Sequence, residues 1–119
     1  MGNLLIANLQ HESKAWRNKN FGPTLSDELG NLQSIEQLMG MIEELGELSH
    51  VILKSRQGIR GGLDPITAQE EEADALGDLF IFMLGYAHRR NLDLEYIILK
   101  TWEKVERRDW IADPERGGE

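Results

Sequence analysis

The chain contains no cysteine, which excludes disulfides, zinc–thiolate sites and thiol nucleophiles. It contains no apolar run long enough to cross a bilayer. The N-terminal stretch from Leu4 to Leu9 is too short and too polar in its flanks for a signal peptide. Met1-Gly2 opens like a myristoylation signal, but Ile6 stands where that signal needs Ser or Thr. Positive charge is scarce: 13 Lys and Arg face 21 Asp and Glu, for a net charge of -8, so neither DNA nor RNA is an expected partner. Strand-like alternation, repeats and low-complexity tracts are missing too. These absences point to a cytoplasmic, all-α protein with no membrane partner.

The 119 residues are 40% hydrophobic and 29% charged, as expected of one folded domain spanning residues 1–119. Four helices are legible. Residues 4 to about 18 have helical spacing (Leu5, Leu9, Trp16) and run into the turn-prone Asn18-Lys19-Asn20-Phe21-Gly22-Pro23. Ser34 to Gln37 forms a capping-box pattern. After it Ile35, Leu38, Ile42, Leu45 and Ile52 recur on one helical face up to about Arg56, with Gly58 as the stop and Gly61-Gly62 in a loop. Thr67 to Glu70 is a second capping box, opening a helix to about Arg90 with Asn91 as its C-terminal cap. Asp93 caps a last helix bearing Leu94, Ile97, Ile98, Thr101 and Val105, which Asp113-Pro114 ends.

Within the third helix, Leu79 to Leu84 is apolar on every side. Such a helix needs cover all round, from its neighbours or from another subunit, so a homodimer or homotetramer is expected. Asp74 and Asp78 lie just upstream on one stripe, with Glu71 extending it, and are expected to point into protein. On the second helix Glu44 and Glu47 share a face, while Glu43 falls to the side. If the two helices pack antiparallel, four carboxylates converge. Oxygen donors of that kind suit a hard cation such as Mg2+, with Mn2+ as a substitute. The bland alternative is that these acids are simply solvated, since a chain so rich in them produces such spacings by chance.

The pattern Glu43-Glu44-Leu45-Gly46-Glu47, then a Gly-rich loop, then an acidic pair before an apolar helix, resembles the MazG-like nucleoside triphosphate pyrophosphohydrolases, relatives of the dimeric dUTPases. The resemblance covers about residues 30–112 and implies a MazG-like four-helix bundle completed by oligomerisation. It further implies magnesium-dependent hydrolysis of a nucleoside triphosphate to the monophosphate and pyrophosphate, with a role in clearing the nucleotide pool. Glu44, Glu47 and Asp78 are the implied ligands. The ExxD element of that family departs here: Ala75 stands where its glutamate is expected. Asp74 is the favoured replacement, and Glu71 the alternative to it. Glu47 is the candidate general base as well as a ligand.

Around this centre, Lys54, Lys104 and Arg108 are candidates for the phosphates, beside Arg56, Arg60 and Arg107. Trp16 and Asn18 are candidates for the base. Cations near helix ends commonly serve the helix dipole instead, and aromatics at helical positions commonly serve the core. His50 completes a Glu-x-x-His unit with Glu47, but Gly85 precedes His88 where a second unit of a di-iron bundle would need glutamate. The departure at Ala75 also motivates an alternative function, a catalytically decayed nucleotide-binding or regulatory helical module.

Overall fold

In the computed structural model of the chain the described residues are 5–23, 27–58 and 64–118, with side chains in the second stretch described from residue 32 onward. They form four α-helices: α1, Ile6–Phe21; α2, Asp27–Gln57; α3, Pro65–Arg89; and α4, Leu94–Glu106. No strand occurs among them. The fold is all-α, as the sequence predicts.

Local chemistry explains where most helices stop and start. At the end of α2, Gly58 takes a positive φ of 62° and its N–H closes on the Lys54 carbonyl. The start of α3 is set by Asp64, whose carboxylate accepts from the N–H groups of Ile66 and Thr67, with Pro65 at the first helical position. Thr67 is therefore not the cap; its hydroxyl donates to Asp64 at 2.7 Å. The end of α3 is a Schellman motif. Asn91 has a φ of 54°, its N–H bonds to His88 and the Leu92 N–H reaches the Ala87 carbonyl at 2.8 Å. Asp93 then caps α4 through the Tyr96 N–H.

Three boundaries differ from expectation. Helix α1 continues to Phe21, ended by Gly22 at a φ of 89°. Helix α2 begins at Asp27, so Ser34 is an interior residue, 4% exposed, and not the N-cap. Helix α4 ends at Glu106, well before Asp113. There Asp109 and Asp113 turn residues 107–118 back on themselves: Asp109 accepts from the Ile111 and Ala112 N–H groups, and Asp113 from Arg116 and Gly118. These local side-chain bonds offer the backbone an alternative to continuing the helix.

The architecture is a long hairpin with two short helices at one end. Helices α2 and α3 pack antiparallel: a Cβ at Gly40 would run into the Phe82 ring, one at Gly85 into Gln37, and Arg89 donates to Gln33 at 2.7 Å. Helix α1 packs on α3 and α4. Leu84, Ala87 and Leu94 form the buried core there, with Ile6, Leu9, Phe80, Ile81, Met83 and Ile98 around them. Gln10 ties α1 to the α3–α4 turn, donating to the Leu92 carbonyl and accepting from the Leu94 N–H.

The face that α2 turns to α3 carries Gln33, Gln37, Gly40, Glu44, Glu47 and Val51. Its apolar stripe lies elsewhere: Ile35, Leu38, Ile42, Leu45 and Ile52 are all exposed, between 41% and 57%. The chain as a whole exposes 9205 Å², against about 6,600 Å² for a compact monomer of this length. Its radius of gyration is 18.1 Å, where about 13.5 Å is usual. A single chain does not close into a four-helix bundle.

The Thr67 N–H and hydroxyl, followed by the Ile66 N–H, hold the Asp64 carboxyl below the usual carboxylate range. A depressed folded-state pKa contributes stability above the unfolded value and loses it as pH falls through the folded one. Asp64→Asn keeps the cap but removes the charge, so its stability should fall less than that of the wild type as pH drops below about 4. Asp64→Ala should lower Tm by about 3–6 °C at neutral pH. Thermal melts across a pH series check both.

Candidate functional site

Toward the loop end of the hairpin, beyond the reach of α1 and α4, a cavity of about 270 Å³ is lined by Glu44, Glu47, Val51, Glu71, Asp74, Ala75 and Asp78. All four carboxylates expected to converge are in it, and Glu71 is in it as well. The helix spacing does this: residues 44, 47 and 51 follow the inner face of α2, and 71, 74, 75 and 78 the inner face of α3. Val51 and Ala75 are each 4% exposed and form the apolar floor.

The acids stand on the rim of that floor. Glu44 is half-buried, while Glu47, Glu71, Asp74 and Asp78 are exposed. The expectation that Asp74 and Asp78 point into protein is therefore corrected for the single chain. The all-apolar segment that would bury them, Leu79 to Leu84, lies further along α3, where α1 adds its cover.

Electrostatically the cleft is one-sided, with no Lys, Arg or His among its lining residues. Burial raises the Glu44 pKa above the usual carboxylate value, and the neighbouring charges of Asp78, Glu43 and Glu47 raise it further. A set of carboxylates that repel one another, with oxygen donors only, has the chemistry a hard divalent cation takes. As they stand, no three His, Asp or Glu side chains among the described residues are arranged to hold a metal ion. The donors share one cleft without being drawn onto one point.

The other candidates lie outside this cleft in the single chain. Lys54 is half-buried near the end of α2, and Arg56 is exposed. Lys104 lines a separate cavity of about 630 Å³ with Lys100, Glu103, Arg107 and Gly118. Arg107 is the C-terminal cap of α4, its Nε donating to the Glu103 carbonyl at 2.8 Å, so it and Arg108 do not continue the helix with Lys104. On α1, Trp16 is 54% exposed and packs edge-on against Phe21, ring centroids 5.7 Å apart. Asn18 keeps its Oδ1 buried and without a hydrogen bond. His50 is exposed and lines no cavity with the acids. Arg60, Gly61 and Gly62 lie outside the described residues.

Sequence reasoning left out Val51 and the floor role of Ala75. The signal was present, since Val51 is four residues after Glu47 on the same face. It was hidden by the more conspicuous apolar stripe on the opposite side of α2.

No protein-family model matches this chain, and comparisons with characterised proteins and with solved structures find no match. What it does must be argued from the cleft.

A cation that gathers these carboxylates stabilises the folded state by mass action. Magnesium at about 5–10 mM should raise Tm by at least 2 °C over chelator at matched ionic strength. Asp78→Asn should abolish that rise. Of Asp74→Ala and Glu71→Ala, the one that reduces it more identifies the residue completing the donor set; differential scanning fluorimetry reads all three.

Proposed function

We propose that the protein is a magnesium-dependent nucleoside triphosphate pyrophosphohydrolase that works as a homodimer or a dimer of dimers. The observation that carries this reading is the single cleft holding Glu44, Glu47, Asp74 and Asp78, with Glu71 beside them and no cation among its walls. The likeness of the motif to the MazG-like enzymes supports it further.

In this reading Glu44, Glu47, Asp78 and Asp74 hold the metal, with Glu71 as the alternative to Asp74 and Mn2+ as a substitute for Mg2+. Bound magnesium would offset the charge of the triphosphate and make an attacking water more acidic. Glu47 stands across from Ala75, where no long side chain competes for space, and accepts the water's proton as general base. The apolar floor of Val51 and Ala75 lies beneath the acids and lowers the dielectric around Glu44, the half-buried one. None of Lys54, Lys104, Arg108, Trp16 or Asn18 lines the cleft of a single chain. Their contacts to phosphates and base therefore come across an interface, from a second copy.

The exposed stripe on α2 supports that second copy. The surface excess over a compact monomer is about 2,600 Å² per chain, which is more than a stable protein interface requires. Ile42, 57% exposed at the centre of the stripe, should lie within the contact. Ile42→Glu should leave helicity unchanged by circular dichroism while shifting sedimentation from dimer or tetramer to monomer. A wild-type protein that sediments as a monomer would remove the assembly from this reading.

A second reading has its own observation. The acids are not drawn together and Ala75 replaces an expected glutamate, which favours a helical module that binds or senses nucleotides without turning them over. Pyrophosphate release from a panel of ribo- and deoxyribonucleoside triphosphates, uracil-containing and oxidised ones included, separates the two. Release with magnesium but not with chelator, reduced about 100-fold or more in Asp78→Asn, is the expected result. Metal-dependent binding without turnover favours the module, and orthophosphate as product points to a different phosphohydrolase.

A further inference from the structure

Leu94, Ile98, Trp102 and Val105 follow one another at helical spacing along one side of α4. Only the first half of this stripe is covered. Leu94 is buried and Ile98 half-buried in the core that α1 completes, whereas Trp102 is 57% exposed and Val105 is exposed as well. Within the chain α4 packs on α1, and the cover falls away after Ile98. The turn that follows, held by Asp109 and Asp113, extends the bare surface with Trp110 and Ile111, the latter 96% exposed.

The stripe on α2 from Ile35 to Ile52, about 25 Å long, is the second bare apolar surface. Charge separates the ways in which a second copy covers it. Residues 32–53 carry Glu36, Glu43, Glu44 and Glu47 and neither Lys nor Arg. Laying stripe on stripe therefore sets four glutamates against four. Residues 97–108 carry Lys100, Lys104, Arg107 and Arg108 against Glu103 and Glu106, and Lys100, Lys104 and Arg107 line one open cavity. In a chain of net charge -8, the far half of α4 is thus an apolar surface of positive sign, and α2 one of negative sign.

The area suffices. A standard interface buries about 800 Å² on each partner, and the surface excess of this chain is about 2,600 Å². A reciprocal exchange makes the same contact twice, so each copy gives one α4 and receives one. A tryptophan at the centre of such a contact is also the residue type most often found to carry its energy.

We propose that the far half of α4, led by Trp102, docks on the α2 stripe of a second copy around Ile42, and that the two copies exchange this contact reciprocally. The docking rests on the assembly proposed above and deepens it, by naming the two unlike surfaces that meet. It also brings Lys104 and Arg108 of one copy onto the helix that carries Glu44 and Glu47 in the other. It does not depend on the hydrolytic reading of the carboxylate cleft.

The absence of cysteine makes the test direct, because any thiol introduced is the only one in the chain. Ile42→Cys and Trp102→Cys are made in full-length chains of different tag length, and a short bifunctional maleimide is added to each alone and to an equal mixture. The expected result is a cross-linked pair of unlike chains in the mixture, with little product from either variant alone. Ile42→Cys cross-linking to itself as efficiently as in the mixture overturns the docking in favour of stripe on stripe. No cross-linking in the mixture overturns it as well. In parallel, Trp102→Glu should weaken association about 10-fold or more by sedimentation, with helicity unchanged by circular dichroism because the side chain is exposed; Val105→Glu serves the same purpose if that variant loses helicity. Wild-type affinity in a folded variant of this kind overturns the docking and leaves the homodimer standing, whereas a wild-type protein that sediments as a monomer removes both.

Discussion

The contact on which this structure depends is the seam between α2 and α3, and its composition is unusual for a two-helix core. From α2 it takes Gln33, Gln37, Gly40, Glu44, Glu47 and Val51. Only Val51 is a large apolar residue, and Gly40 is there because the Phe82 ring occupies the space a side chain would need. This register decides two further features at once. It lines up Glu44 and Glu47 with Asp74 and Asp78, and it rotates Ile35, Leu38, Ile42, Leu45 and Ile52 away from the rest of the chain. The acid cleft and the bare apolar stripe are two consequences of one rotation of α2 about its axis.

That rotation carries an energetic problem at each face. Inside, carboxylates crowd together, and Glu44 registers this as a raised pKa through burial and the charges of Asp78, Glu43 and Glu47. Outside, five large aliphatic residues on one helix remain in water, each forgoing part of the roughly 1.5–3 kcal/mol that burying such a side chain contributes. The bulk of the core is at one end, around Leu84, Ala87 and Leu94. The two problems, crowded acids between the helices and bare aliphatic side chains outside them, are separate. Neither relieves the other, because they act on opposite faces of α2.

The number and type of the helices, and the chemistry at most of their ends, were legible in the sequence. Gly58, Asn91 and Asp93 act where their side-chain and backbone preferences say they should. Ser34 and Thr67 mislead for a shared reason: a capping box is a pattern of four residues, and nothing in it excludes a stronger cap or a longer helix just upstream. Asp64-Pro65 wins over Thr67 because a carboxylate accepting two N–H groups, followed by a proline needing none, satisfies more orphan donors. The grouping of the acids was legible from three- and four-residue spacing. Their exposure was not, because it depends on how far α1 and α4 extend over the hairpin, and spacing within a helix carries no such information.

Ala75 shows how a departure from a pattern acquires physical meaning only in place. By sequence it is a missing carboxylate. In the structure it is 4% exposed, forming with Val51 the floor of the cleft against which Glu47 stands. A glutamate there would have to turn outward past Glu47 or place a second acid in the least solvated part of the seam, where an unpaired charge is most costly. On the same helix Asp78 lies near enough to Glu44 for its charge to raise that residue's pKa.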